Sequence, residues 1–406
     1  MEREYLVRLA GRLFSQLCVD IPTRPVGRAG NREATSLFAS RLVDCGFAVD
    51  CPSFQSIDWA SEGAVLCAGS DSFEVYSSPY SLGCDVRARL TSVSSLVELE
   101  RTRIDGSVVL VKGELARGQL MPKNFPWYNP EEHQRIISLL EASAPAGIVC
   151  ATSRDPEMVG SQYPFPLIED GDFDIPSVYM TVEEGARLQT LVGKEVSLVS
   201  RARRIPSSGC NVVARKGTER DGCVVLTAHI DTRDGTPGAL DDTSGVVTLL
   251  LLGELLRDYH EGPAVEIVAL NGEDYYASSG EKLFLETNRA RMDRIILNIN
   301  IDDVGYHEGR TAWSLYECPE KLAGIIRRCL ERHEGFFEGP SWQQGDHMIF
   351  VQSGRPALAF TSELFMQVLA EVTHSEKDRP DLVDLEKIAD LAIALRQLLP
   401  QLERGE

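Results

Sequence analysis

From about residue 206 onward the chain alternates short apolar runs with longer stretches of helical period, and no other feature limits the fold as much. The runs at 224–227, 265–270, 294–301 and 357–360 have the length and apolar character of buried strands. The stretches 246–256, 280–288, 322–332 and 384–398 carry apolar residues at helical spacing. Parallel neighbours in a sheet need a crossover connection, and a helix is the usual one. Alternation of this kind predicts an α/β domain with a mostly parallel sheet flanked by helices.

The N-terminal region supplies two more helical patterns, 3–17 and 33–46, joined by a loop rich in Pro, Gly and Arg. Gly46 ends the second. From about 50 to 205 the character changes. Short β-rich segments at 63–67, 73–77, 107–112, 146–150 and 195–199 surround one clear helix, 130–142, whose first turn is acidic. A chain of 406 residues exceeds one ordinary core. The expected organisation is therefore a domain built from 1–48 and 206–406, with a smaller β-rich α+β domain, 49–205, inserted in it. His133 is the only histidine of the insertion and reads as an exposed bystander.

The formal net charge is −20. Nucleic-acid binding needs a basic footprint, and the densest basic stretch, Arg201, Arg203 and Arg204, reads as a solvated strand end, so no nucleic-acid partner is expected. No run of about 18 apolar residues occurs, so no membrane span is expected. Ten cysteines lie scattered without a CxxC pair. The opening Met1-Glu2-Arg3-Glu4-Tyr5 lacks the apolar stretch of a secretory signal. Reduced thiols and a cytoplasmic location are therefore expected. The oligomeric state is left open.

In open α/β sheets, ligands bind beyond the carboxyl ends of the strands. Beyond the expected strands of this chain come His229-Ile230-Asp231, then Gly238-Ala239-Leu240-Asp241-Asp242-Thr243-Ser244-Gly245, then Glu273-Asp274, then Asp302-Asp303, and last, on a longer loop, Thr373-His374. Taken singly these have ordinary explanations: an Asp before a helix is usually an N-cap, as Asp242 or Thr243 could be, and an acidic pair in a turn is usually solvated. Together they bring His, Asp, Glu/Asp, Asp and His to one sheet edge. Imidazole nitrogen and carboxylate oxygen suit zinc, and also manganese or cobalt. Two histidines and three carboxylates exceed what one zinc needs and suffice for two ions roughly 3.5–4 Å apart sharing a bridging carboxylate.

These motifs resemble peptidase family M28, the zinc aminopeptidases. That family also includes glutamate carboxypeptidase and the catalytically inactive transferrin receptor. The family pattern runs HxD, GAxDxxSG, an acidic pair, DMxG, SDHxxF and HTxxDT. The chain matches it with His229-Ile230-Asp231, the Gly238–Gly245 run, Glu273-Asp274, Asp302-Asp303-Val304-Gly305, Gly345-Asp346-His347-Met348-Ile349-Phe350 and His374-Ser375-Glu376-Lys377-Asp378. The insertion looks like a protease-associated domain, on the stretches Asp105–Val111, Ala144–Val149 and Ile175–Tyr179.

The resemblance implies a zinc aminopeptidase-like fold and two divalent ions, zinc first, with cobalt or manganese open. His229, Asp241 and Asp302 would hold one, and Asp241, Asp274 and His374 the other, with Asp241 bridging. Glu273 would be the general base, and Asp231 would orient His229 through its other ring nitrogen. The Asp241-Asp242 peptide is expected to be cis. The chain departs from the pattern at Asp274, where Glu is common, at Asp303 in place of Met, and at Arg379 in place of Thr. The shorter Asp274 puts its reach to a metal in question. The implied activity is removal of N-terminal residues from a peptide substrate. The alternatives are carboxypeptidase or glutaminyl-cyclase-like chemistry on the same site, or a non-catalytic interaction protein.

Overall fold

The computed structural model describes residues 2–126, 128–154, 159–218, 222–260 and 262–402. The chain divides into two compact units, Met1–Ser56 with Ser208–Glu406, and Ile57–Ser207.

The first unit is built on an eight-stranded sheet. Its centre is four parallel strands, in the order Ala264–Leu270, Cys223–His229, Ile295–Ile301 and Ala357–Ser362. Every residue of Cys223–His229 and Ala264–Leu270 is buried, as expected of strands covered on both faces. The parallel character does not extend to the flanks. Val212–Lys216 pairs antiparallel with Ala264–Leu270, and Thr311–Tyr316 pairs antiparallel with Ala357–Ser362. Neither flanking strand was among the expected elements. Cys223–His229 also runs two residues beyond its expected end, which makes His229 its last residue.

Helix Ser244–Leu255 runs through the middle of this unit, and its residues Ser244 to Gly253 are all buried. A helix apolar on every side must be covered on every side, and Leu385–Leu398, Glu2–Ser15 and Ala29–Asp44 cover it. Helix Ala29–Asp44 starts four residues before its expected start, and Gly46, with φ +80°, follows its end. The first turn of Ser244–Leu255 lies against a strand end. A Cβ on Gly245 would sit 2.3 Å from the carbonyl oxygen of Ile301, so only glycine permits this approach.

The second unit carries its own sheet, in which Cys84–Val93, Val108–Val111, Gly147–Thr152 and Ser177–Thr181 are parallel neighbours. Two apolar cores lie on its two faces. Val109, Val111, Ile148 and Cys150 enter one, and Val108, Leu110, Val149 and Ala151 the other. Strand Cys84–Val93 and helix Val182–Gln189 lie outside the expected set. The helix expected at 130–142 is Glu131–Ser143. His133 accepts the Met121 amide at 3.0 Å. Arg204, expected to be solvated, instead donates to the Tyr80 carbonyl at 2.6 Å and to Asp174 at 2.7 Å. Among the described residues, no helix is long and apolar enough to cross a membrane.

Candidate metal centre

Five side chains from five segments of the first unit converge beyond the carboxyl ends of the parallel strands. His229 closes its strand, Asp302 follows Ile295–Ile301, and Asp274 lies in the turn after Ala264–Leu270. Asp241 precedes helix Ser244–Leu255, and His374 lies on the loop after helix Phe365–Glu371. The two oxygens of Asp241 face different histidines. Oδ1 is 2.9 Å from His229 Nε2, and Oδ2 is 3.1 Å from His374 Nε2. Asp302 Oδ1 is 3.8 Å from His229 Nε2, and Asp274 Oδ1 is 2.8 Å from His374 Nε2. The carboxylate of Asp241 thus lies between a His229–Asp302 side and a His374–Asp274 side. Asp242 also offers an oxygen within 4.8 Å of the ligand atoms of His229 and Asp302. Its Oδ1 is already engaged by the Gly245 amide at 2.8 Å. The Asp241-Asp242 peptide is cis.

Main-chain and buried polar contacts hold these groups. His229 Nδ1 meets the backbone carbonyl of Asp231 at 3.1 Å. An Nδ1–H donated there leaves the Nε2 lone pair for a cation. The Asp231 carboxylate is 3.8 Å from that nitrogen and does other work: it accepts the amides of Gly272 at 2.7 Å and Asp274 at 3.1 Å. Asp231 therefore orients the imidazole with its carbonyl and braces the Glu273-Asp274 turn with its side chain. The turn is further pinned through Asn271, whose amide reaches Asn211 and whose side chain pairs with Asn31. Asp378 accepts the amides of Leu240 at 2.7 Å and Asp241 at 3.1 Å. Buried Arg24 donates to the Gly238 carbonyl and to Thr243. His374 and Asp303 hold φ values of +59° and +52°. Few non-glycine residues occupy that region, and strain of this kind gathers at functional sites.

The electrostatics are those of carboxylates in excess. Burial pushes Asp302 up to about 7, with Asp241 and Glu273 adding to it against the pull of His229. Asp242, Asp303 and Asp346 are well above the ordinary carboxylate range, by burial first and then by neighbouring acids. Burial raises Glu273 as well, and Asp274 and Asp241 raise it further. Burial acts against the charged form of His374, but Asp274 and Asp241 outweigh it and lift the imidazole to about 10. His229 is likewise held well above its ordinary value, against burial, by Asp241 and Asp302. Asp241 itself stays low, because its hydrogen bonds to both histidines overcome its burial.

These residues fit divalent ions. The donors are the imidazole nitrogens and carboxylate oxygens that zinc, cobalt and manganese take. Asp302 Oδ1 is buried without a hydrogen-bond partner. The mutual repulsion that raises the carboxyls is what a dication removes. Arg24, Asn31, Asn271 and Arg233 were not among the expected site residues, and none carries a local signal. Asp378 stands inside the last motif of the family pattern, and its position there is the one signal that could have found it.

The family model described as "Peptidase family M28" matches residues 211–399. A protein of Aspergillus oryzae described as "probable leucine aminopeptidase 2" is 24% identical over 252 residues, covering 60% of this chain and 47% of its own length. A protein of Mycobacterium tuberculosis described as "Probable lipoprotein aminopeptidase LpqL" is 26% identical over 297 residues, covering 69% of this chain and 54% of its own. The chain thus spans about half the length of these curated relatives. Among solved structures, an aminopeptidase from Aneurinibacillus sp. strain AM-1 superposes with a TM-score of 0.77 at 18% identity, over 100% of this chain and 94% of that one. A zinc aminopeptidase from Bacillus subtilis superposes with a TM-score of 0.73 at 18% identity, over 98% and 95%. The mixed α/β fold is the one these structures have.

Proposed function

We propose that this chain, whose residues 211–399 match the model of Peptidase family M28, is a metal-dependent aminopeptidase that removes N-terminal residues from peptides. The observation that carries the proposal is Asp241, with one oxygen turned to each of two histidines and a further carboxylate on either side. Asp241 would be shared between two ions, His229 and Asp302 would complete one ligand set, and His374 and Asp274 would complete the other. Two divalent ions held there, zinc by preference, would supply Lewis-acid polarisation of the scissile carbonyl and an acidified water.

The chain's own groups do the rest. Glu273 lies among the charges of both ligand sets and is needed as a ligand in neither. It takes the proton of the attacking water and returns it to the leaving amine. The Asp231 carbonyl keeps His229 in the tautomer that leaves Nε2 free, and the Asp231 carboxylate holds the turn that aims Glu273.

The test is to load the purified chain with zinc, manganese or cobalt, count ions by elemental analysis, and assay aminoacyl and N-blocked substrates side by side. About two ions per chain and cleavage of free-amine substrates alone is the expected result. Ion content near zero under all three loadings would refute the metal reading, and cleavage of N-blocked substrates alone would refute the aminopeptidase reading.

The reading of the middle unit as a protease-associated domain is supported by strands at the three stretches that carry the resemblance, Val108–Val111, Gly147–Thr152 and Ser177–Thr181. None of the ten cysteines is placed in a disulfide, and with their scattered spacing this is the ground for proposing a reducing compartment such as the cytoplasm. The lipoprotein relative points the other way, so thiol titration is the relevant measurement.

A further inference from the structure

We infer that Arg233 opposes cation binding at the His374–Asp274 side and makes it the weaker, exchangeable half of the centre; this rests on the two-metal reading. Arg233 lies two residues past Asp231 on the loop after strand Cys223–His229 and holds Asp274 twice. Its main-chain amide donates to Asp274 Oδ2 at 3.0 Å, and its guanidinium Nε reaches Oδ1 at 3.3 Å. That same Oδ1 is 2.8 Å from His374 Nε2. It is the oxygen a cation shared by His374 and Asp274 has to take.

Charge and geometry both weaken that cation's hold. The lone pairs of Oδ1 are divided between the cation and the guanidinium, which cannot deprotonate to yield them. The cation also gains a fixed positive neighbour in a largely buried setting, where screening is poor: the Asp274 side chain is 1% exposed and that of Arg233 30%. The other side has the opposite surroundings. There Asp242 places an additional carboxylate oxygen beside His229 and Asp302. One half of the centre thus has an additional acidic side chain within reach, while at the other a carboxylate already meets a cation of the protein itself. The asymmetry also bears on the short Asp274. With Oδ2 held by the backbone, this carboxylate offers one oxygen, and the arginine sets how strongly it binds.

The experiment is equilibrium dialysis of the whole chain against chelator-buffered zinc, with bound ions counted by elemental analysis. Wild type should bind in two separated steps, and His374→Ala should lose the weaker one. Arg233→Gln keeps the main-chain contact to Asp274 and removes the guanidinium, with its charge and its Nε contact to Oδ1. It should tighten the weaker step, by roughly the 10–100-fold that residues behind metal ligands command, and leave the tighter step in place. Arg233→Lys keeps a charge on a mobile stem and should tighten the same step less, which gives a second reading should the Gln variant not fold. An unchanged or weakened second step in the variants would overturn the inference, as would loss of the tighter step in His374→Ala. Failure of wild type to bind any zinc would instead overturn the two-metal reading, and this inference with it.

Discussion

Asp241 and Glu273 are separable by experiment because the proposed function has one hold cations and the other move a proton. Glu273→Gln preserves shape but cannot accept the proton, so kcat should fall by about 10²–10⁴ with KM and metal content nearly unchanged. Retained activity at normal metal load would refute the base assignment. Asp241 faces both histidines. Asp241→Ala should therefore lose both ions, whereas Asp274→Ala should mainly weaken one, and elemental analysis of the two variants distinguishes them. The protonation states carry a further expectation. His374 is lifted to about 10 and His229 stands well above its ordinary value, so both hold protons at pH 7 until a cation displaces them. Metal binding should then release protons and grow tighter as pH rises. Calorimetric titration with zinc at pH 7, in buffers of different ionisation enthalpy, counts the protons; a count of zero would contradict these states.

At the scale of elements, the centre is only as well placed as helix Ser244–Leu255 and the loop that leads into it. The helix is fixed by burial on all sides, and Leu251 is fully buried in the core it shares with Leu6, Leu42 and Leu395. Leu251→Ala should cost about 2–5 kcal/mol in urea unfolding, and a cost below about 1 kcal/mol would mean that the helix does not anchor the centre. Asp378 acts on the loop itself, since its carboxylate takes the amides of Leu240 and Asp241.

For the whole molecule, the proposed ligands come from strand ends and loops of one unit, Met1–Ser56 with Ser208–Glu406. Ions that bind the folded state stabilise it by mass action, by about 2.7 kcal/mol at a free concentration 100 times Kd. Chelation should therefore speed hydrogen exchange in Cys223–His229 and Ile295–Ile301. It should leave Val108–Val111 and Gly147–Thr152, in the unit without ligands, as they were. Uniform loss of protection across both units would show that the ions do not act through their ligand segments. The ten free thiols supply a second measurement. Titration of denatured, unreduced protein should find most of them reactive, and a majority of disulfides would refute the proposed cytoplasmic location.

The central strands and helices of the first unit were legible because their signals are local. An apolar run or a 3.6-residue period depends on neighbours two to four positions away. His229, Asp241, Asp274, Asp302 and His374 could be singled out for a related reason: each stands just past a legible strand or just before a legible helix, or within a motif of fixed spacing. Flanking strands such as Val212–Lys216 and Thr311–Tyr316 are short and antiparallel, and their pairing depends on partners dozens of residues away. What only the tertiary structure decided is the work done around the ligands. Arg233 and Asp274 are 41 positions apart, Asp378 and Asp241 137, and Asn31 and Asn271 240. No periodicity encodes such pairs. They exist because the fold buries polar groups that must then find partners, and those partners determine which nitrogen of His229 faces the centre and which oxygen of Asp274 is left to bind.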